Sequence, residues 1–494
     1  MDFLALANNA PTGALSGGEV DALQKALTAG YGTDMANLTG GAALRVQSLD
    51  TTMQAVIQQN EDFKLFNRLP KPKAGATVDE WTEQNSVGGF LGGTTNTETG
   101  AIADATGSYA RRVGMVKYLM TKRQVSLVQT LQTAIADSEA VEYNNGALQL
   151  LTDANFLCYE GDSTVVATEF DGVYAQLVAG IAAGNVDGDH IIDARGDTLN
   201  NIALFNAAVA TIRRPPNFGR PTDVFMSMDV QADLDTGLDP AFRVPLPDVP
   251  NGGIMIGAPV IGIRTSGGNI KTNDDGYVRD ANLLTPFEQR YAAQAALQAG
   301  LQPTIAVDPS VTDAASLFAA AHAGNYYYLV TGLNANGEST GVISSQQAVA
   351  AGKKVTITIT ASGGGTETGY AIYRSRLGGG NVAVGGADGL SDFRFMARIP
   401  KTGSSTTYVD RNKDLPGSSK AYLLNLRPTD TAITWRQLLP MLRFNLYPTN
   451  SAIIPWAQLL FGYLRISKLR HHAVIKNIVT KNAIFKPFVT TPGG

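Results

Sequence analysis

The sequence has a single cysteine, Cys158, and only four histidines, His190, His322, His471 and His472. One cysteine excludes an internal disulfide and fits a reducing compartment. Beside Phe156 and Leu157 it reads as a small core residue on a helix rather than a reactive thiol. Charge is scarce as well: Asp, Glu, Lys and Arg make up 17% of the chain, and the net charge is -4. A protein that coats nucleic acid needs clustered Lys and Arg to neutralise phosphates, whereas here the signs are mixed almost everywhere. Hydrophobic runs of membrane-spanning length are missing; the nearest, residues 453–466, is broken by Pro455 and Gln458. Met1-Asp2-Phe3-Leu4 places an acid where a secretion signal needs a basic patch. No membrane partner is therefore expected, and production in a cytoplasm is.

Catalytic signatures are lacking too. HExxH, CxxC, GxSxG, phosphate-loop and dinucleotide fingerprints do not occur. His471 and His472 are adjacent, so on a strand they face opposite ways and do not share a metal. Asp274-Asp275-Gly276 reads as a turn. The segment 184–190 carries oxygen-bearing side chains at alternate positions but no closing Glu, which leaves a solvated loop first and calcium second. Arg213-Arg214 suits a helix C-terminus. The basic stretch Lys468, Arg470, His471, His472, Lys476, Lys481 is interleaved with Leu469, Val474, Ile475 and Ile478, which favours a solvated or inter-subunit face over DNA contact. These observations predict no enzyme, no cofactor and no metal.

What is present is glycine, 52 residues of it, a normal apolar fraction of 44%, and a long polar stretch from residue 64 to residue 127. It reads as an extended arm over 73–84, a tip rich in Gly, Thr, Asn and Ala over 85–108, and a returning arm over 109–128. Loops without structure of their own rarely exceed roughly 15 residues in compact domains, and an isolated two-stranded ribbon is marginal in water. The stretch is therefore expected to lack a core of its own and to be held by another copy. Its charges read as edge-strand protection mixed with register-setting ion pairs to a neighbour. The candidate inter-subunit residues are Lys71, Lys73, Glu80, Trp81, Glu83, Arg111 and Arg112, with Trp81 as the buried anchor.

Around the ribbon, periodicity predicts helices over 19–29 and 42–60 after a coreless arm of residues 1–18. Helical character resumes over 129–160, with residues 138–160 as one long helix despite Gly146. A helix over 198–212 carries Leu199, Ile202, Phe205, Val209 and Ile212 on one stripe and is stopped by Pro215-Pro216. Residues 223–228 read as a buried strand, Asp229 as the cap of a short helix, and 254–256 and 260–264 as strands. Over 303–416 short strands recur at 326–330, 355–360, 370–374, 393–399 and 406–410, with a tight turn at Asn336-Gly337. That pattern predicts a small β-sandwich, inserted within a larger domain that resumes after residue 416.

The segments Gly30-Tyr31-Gly32-Thr33, Gly41-Ala42-Ala43-Leu44-Arg45, Phe170-Asp171-Gly172, His190-Ile191-Ile192-Asp193-Ala194-Arg195-Gly196, Gly219-Arg220-Pro221-Thr222-Asp223 and Leu438-Leu439-Pro440-Met441 come in an informative order. With the order of parts, the chain resembles a tailed-bacteriophage major capsid protein of the Hong Kong 97 fold, closest to those of large lytic myophages. The resemblance implies an α+β fold with an N-terminal arm (1–63), an extended loop (64–128), a peripheral domain with a spine helix (129–189), a first axial part (190–302), an inserted immunoglobulin- or fibronectin-like sandwich (303–416) and a return to the axial and peripheral domains (417–494). It implies self-assembly into pentamers and hexamers of an icosahedral head that encloses double-stranded DNA without specific binding. Portal and scaffolding proteins, possible decoration proteins, and a virion location after assembly in the host cytoplasm follow from it. The rival readings are a tail or baseplate component with a similar sandwich, and a glycan-active enzyme, which needs a carboxylate pair in a cleft.

Overall fold

The computed structural model describes residues 60–131, 137–200, 202–237, 262–279, 302–382, 391–448 and 451–489. By its internal contacts the chain divides into two units, and the one described below comprises Ile57–Gln132 and Ser138–Gly494. The arm of residues 1–18, the helix over 19–29, all but the last residue of the helix over 42–60, and the strand at 254–256 lie outside the described residues.

The protein is mixed α+β. A short helix α1 (Lys64–Arg68) precedes strands β1 (Val78–Ser86), β2 (Ser108–Met115) and β3 (Lys117–Ser126), then helices α2 (Leu127–Leu131), α3 (Ser138–Glu160) and α4 (Val173–Ala182). Next come β4 (Ile191–Asp193), α5 (Ala203–Arg213), β5 (Asp223–Met226), α6 (Met228–Gly237), β6 (Gly262–Thr265) and β7 (Gly268–Asp274). Short strands follow: β8 (Thr304–Asp308), β9 (Gly324–Tyr326), β10 (Tyr328–Asn334), β11 (Gly337–Glu338), β12 (Val342–Ile343), β13 (Gln347–Val349), β14 (Val355–Thr360), β15 (Gly369–Ser375), β16 (Phe393–Pro400) and β17 (Ser405–Asp410). The chain closes through β18 (Ser419–Leu424), β19 (Ile433–Asn445), β20 (Ile453–Ile466) and β21 (Ala473–Ile478).

Helix α3 has the bounds its periodicity predicts. Leu150, Ala154, Leu157 and Cys158 form its buried stripe. Gly146 does not interrupt it; it lies where β20 crosses the helix, and a Cβ there would come within 2.2 Å of the Gln458 side-chain amide. Helix α5 starts five residues later than expected, at Ala203. Leu199 is buried ahead of the helix, while Ile202 is exposed. Asp229 lies in the first turn of α6, not before it, since the helix already begins at Met228.

A six-stranded sheet, β4-β21-β18-β5-β7-β6, forms the centre of the body. Strict alternation lets each strand feed two cores. Val224, Met226, Leu423 and Ile475 pack with α5 and α6 through Phe205, Val209, Ile212, Val230 and Leu234. Phe225, Tyr422, Leu424 and Val474 pack on the opposite side with Leu157 and Tyr159 of α3. Burial of both faces explains why these strands read as continuous apolar runs.

Residues 302–417 hold two larger sheets and a two-stranded one, β13-β9, around one core. Strands β11-β10-β15-β16, with β12 beside β10, make one, and β17-β14-β8 the other. Val355, Ile357 and Ile359 of β14 point inward to Tyr328, Val330, Tyr370 and Ile372, while the intervening Thr residues point out. The turn at Asn336-Gly337 joins β10 to β11, and Asn334 Oδ1 accepts the Asn336 and Gly337 N–H groups at 2.9 and 3.1 Å. A second cluster, with Val165 and Val166 of the body against Leu329, Leu333, Tyr373 and Phe393, seats these sheets on the body. Arg398 of β16 adds ion pairs to Glu169 at 3.2 Å.

A further sheet, β19-β20-β3, corrects two expectations. The polar stretch of residues 64–127 does have core contacts: Leu65, Phe66, Leu69, Ala74 and Val116 are buried with α3, Trp435 and Tyr463. The returning arm over 109–128 is not one strand either. It divides at Val116, after which β3 leaves the ribbon and pairs with β20 from Lys117–Gly462 to Ser126–Ile453. Residues 453–466, read as a broken apolar run, form the central strand of this sheet. Pro455 fits because it lies near the strand's beginning, where its carbonyl accepts Leu446 N–H at 3.0 Å.

Candidate assembly ribbon and its root

Strands β1 and β2 pair antiparallel from Val78–Met115 to Ser86–Ser108. Alternation gives the ribbon two faces. Asp79, Trp81, Glu83, Arg112 and Gly114 turn toward the body, whereas Val78, Glu80, Tyr109, Arg111, Val113 and Met115 are exposed.

The body-facing residues form a root. Asp79 Oδ2 accepts from Tyr463 OH at 2.6 Å and Arg436 Nε at 2.9 Å, and Asp79 Oδ1 accepts from Arg436 Nη2 at 3.2 Å. Arg465 Nη1 lies 3.5 Å from the same carboxylate. Burial by itself raises the Asp79 carboxyl, but the Tyr463 and Arg436 hydrogen bonds and the two guanidinium charges outweigh it and hold the group below its usual range. Burial and the Asp79 hydrogen bond push the Tyr463 hydroxyl up. Tyr463 reaches Asp79 because Gly114 lies against it: a Cβ at residue 114 would meet the ring at 2.2 Å. The Arg465 guanidinium stacks over Trp81, 4.8 Å from the ring centroid. Trp81 Nε1 donates to Glu83 at 3.1 Å, and Glu83 pairs with Arg112 at 3.0 Å.

The chain entering the ribbon is held as well. Trp435 N–H donates to Pro70 O at 2.9 Å, Gln437 N–H to Pro72 O at 3.1 Å, and Ala74 N–H to Gln437 O at 2.9 Å. Lys73 thus bridges to β19, and the Lys71 ammonium stands 4.5 Å from the Phe66 ring, where burial lowers its proton affinity. Of the residues singled out from sequence, Lys71, Lys73, Trp81, Glu83 and Arg112 therefore touch their own chain. Only Glu80 and Arg111, which pair with each other, lie on the outward face. Trp81 is half-buried against Arg465 of its own chain.

At the far end the tip is bare. Leu91 is 100% exposed and Ile102 91%, with Val87 and Phe90 close behind. The tip's hydrogen bonds are short-range, such as Asn96 Nδ2 to Ala101 O at 2.9 Å and Gly93 N–H to Phe90 O at 2.9 Å.

Beside the root, between α4 and β16–β17, lies a cleft of about 760 Å³. Its floor is charged and tied. Glu160 accepts from Lys420 at 2.7 Å and Tyr422 OH at 2.6 Å. Burial raises the Glu160 carboxyl, but Lys420 and Arg279 overcome it and hold the group at about 2. Arg398 ties Glu169 and donates to the Glu160 carbonyl at 2.5 Å. These contacts staple the end of α3 to β18 and β16. In the loop weighed for calcium, Arg214 takes the acids instead, at 3.7 Å from Asp187 and 2.9 Å from Asp189.

His471 and His472 are not on a strand, as the sequence reading supposed. His471 ends a one-turn 3-10 segment, Leu469–His471, and His472 is buried beyond it. His190 Nδ1 meets His472 O at 2.7 Å, so histidines from distant segments converge. Asn217 meets His190 Nε2 and Asn425 meets Nδ1 of His471 and of His472, while His472 Nε2 is buried without a partner among the described residues and burial drives His472 down to about 3. The root residues that sequence reasoning missed, Gly114, Arg436, Tyr463 and Arg465, had no local signal: Asp79 and Arg436 are separated by 357 positions.

No protein-family profile matches the chain, and no curated sequence does. Among solved structures it is similar to a chain of the capsid of a native GTA particle, at 10% identity and TM-score 0.45, covering 89% of this chain and 97% of that one. A chain from Mycobacterium phage Ogopogo matches at 9% identity and TM-score 0.43, covering 89% and 99%. The capsid of Myoviridae phage XM1 matches at 9% identity and TM-score 0.42, covering 90% and 100%.

Proposed function

We propose that this chain is a shell-forming structural protein, the major capsid protein of a tailed phage, which assembles into the icosahedral head around double-stranded DNA. The observation that carries the reading is the ribbon: its root is locked to its own body while its tip presents bare apolar side chains to solvent. Exposed apolar surface marks a contact site, and a tip that none of the described residues covers is suited to another copy.

On this reading residues 64–128 contain the extended loop, α3 is the spine of a peripheral domain, and the sheet of β4 to β7 with β18 and β21 belongs to the axial domain. Residues 303–416 form an inserted immunoglobulin- or fibronectin-like module, mounted through Val165, Val166 and Arg398. Residues 1–63 form the arm. Subunits gather as pentamers and hexamers, with portal and scaffolding partners, in the host cytoplasm and then in the virion. The inter-subunit surface of the ribbon is its outward face, with Glu80 and Arg111, together with the tip. Trp81, Glu83, Arg112, Lys71 and Lys73 set its direction from beneath. Many modest contacts of this kind act together by avidity.

Purified chain at increasing concentration, with and without crowding agent, tests this by electron microscopy. Closed shells are expected. Tubes or plates turn the reading toward a tail or baseplate component, and a monomer that persists with its scaffolding partner supplied refutes it.

A further inference from the structure

A smaller cleft, of about 370 Å³, runs along β1 from Trp81 to Asn85 and is walled by the end of β20 and the turn after it. That wall supplies cations. Arg465, Lys468, Arg470 and His471 line the cleft against one acid, Glu83, which Arg112 and Trp81 Nε1 already occupy at 3.0 and 3.1 Å. Arg470 is half-buried and directs its Nε and Nη1 donors to neutral carbonyls, Asn185 O at 2.8 Å and Asn85 O at 3.3 Å. It has no ion pair among the described residues. Lys468 is exposed, and its ammonium has neither an ion pair nor a hydrogen bond among the described residues. Arg465 shares Asp79 with Arg436 and Tyr463, and its Nε is buried without a partner. Burial first, and the Lys468 ammonium second, depress the proton affinity of His471.

We propose that this cleft binds a chain of phosphates, as in inorganic triphosphate or the tail of a nucleoside triphosphate. Guanidinium and ammonium groups gathered without carboxylates repel one another, and a polyanion offsets that cost. The guanidinium fork matches phosphate oxygens, and a neighbouring lysine adds a point charge. With Nε and Nη1 engaged, Arg470 still has its Nη2 donors to offer. The volume falls within the range of small-ligand sites, about 300–1,000 Å³, and far exceeds the share of a single water, about 30 Å³. Several linked phosphates therefore suit it better than one ion. A DNA duplex fits poorly, because its phosphates sit on a stiff rod too broad for a cleft of this volume. The basic stretch over 468–476 is thus divided: Lys476 pairs with Asp414 at 2.8 Å, His472 is buried, and Lys468, Arg470 and His471 face the cleft. Phosphates bound there tie β1 to the turn after β20, since Arg465 already stacks on Trp81 and Arg470 already holds Asn85 O. The ligand stiffens the base of the ribbon whether or not the chain builds shells.

Titration calorimetry of the unassembled full chain with sodium triphosphate tests the site. Saturable binding is expected, and Lys468→Gln should weaken it at least tenfold without disturbing the fold, because that side chain is exposed and bonded to nothing among the described residues. Arg470→Gln should weaken it as well; since Arg470 also holds Asn85, its unfolding curve is recorded alongside, and Lys468→Gln carries the test if that variant is unstable. Lys122→Gln, at an exposed cation of β3, should bind as the wild type does. Adenosine triphosphate that binds at least tenfold more tightly than triphosphate assigns the site to a nucleotide, and equal binding assigns it to a free oligophosphate; both uphold it. Hydrogen exchange over residues 81–86 should slow several-fold with triphosphate while β14 is unchanged. No saturable binding, or an equal loss in Lys468→Gln and Lys122→Gln, overturns the site. So does a short DNA duplex that binds through Lys468 when triphosphate does not.

Discussion

The root and the tip of one ribbon differ in how completely the chain satisfies them. At the root Asp79 takes partners from β19 and β20, Glu83 and Arg112 pair with each other, and a tyrosine ring fills the space left by a glycine. At the tip, some eight residues further out, apolar side chains meet only solvent. Direction is thus built into the monomer, and on the reading proposed above adhesion is left to a partner. A ribbon preset in this way loses less conformational freedom on docking than a floppy loop, which raises affinity without added contacts. The expectation that sister molecules hold the whole stretch was therefore too broad, because its root is held by its own chain.

The most damaging way to break this asymmetry is Asp79→Ala. It leaves Arg436 and Arg465 without their shared carboxylate and Tyr463 without an acceptor. Removing one side of a largely buried ion pair costs about 3 kcal/mol, which denaturant unfolding of the monomer would register. Gly114→Val ranks next. Its Cβ would lie 2.2 Å from the edge of the Tyr463 ring, and overpacking of this kind costs about 2 kcal/mol. Because the strain acts on the ribbon's attachment, hydrogen exchange should quicken in β1 and β2 more than in β14. Uniform protection across both would show that the root does not anchor the ribbon.

Acid gives a milder version of the first break. The Asp79 carboxyl is held below its ordinary value of about 3.9, so the stability it adds is present above that value and is lost as pH falls through its folded value. The wild-type chain should lose more stability between pH 5 and acid than Asp79→Asn does. Equal slopes would remove Asp79 from the account.

Legibility in the sequence follows the range of the interactions. Helix α3 and strand β14 were readable to the residue, because period 3.6 and period 2 are local signals. The ribbon itself was readable from its length and polarity. The break at Val116 was not read, although the alternation changes phase there: odd positions are exposed in β2 and even ones in β3, where pairing passes to β20. Strands β18 and β21 were hidden in a region of continuous apolar character, which periodicity alone does not resolve when both faces are buried. Asp79 read as one more surface charge on an edge strand. Its partners come from the far end of the chain, so neither spacing nor composition near residue 79 reports them. The outward residues Glu80 and Arg111 were visible for the opposite reason, as they interact only with each other.

The smallest expected effect on the monomer is the most telling. Phe90→Ser with Leu91→Ser removes the tip's largest apolar groups. Both side chains already stand in water, so the unfolding free energy should change by no more than about 0.5 kcal/mol, while assembly should be lost. Asp79→Ala should do the reverse in emphasis, with a clear loss in the monomer and an indirect one in assembly. If the double serine variant instead unfolds far more easily than the wild type, the tip has a partner within its own chain and the division between root and tip fails. If it keeps its stability and still closes shells as readily as before, adhesion belongs to some other surface, and the exposed tip is only a loop.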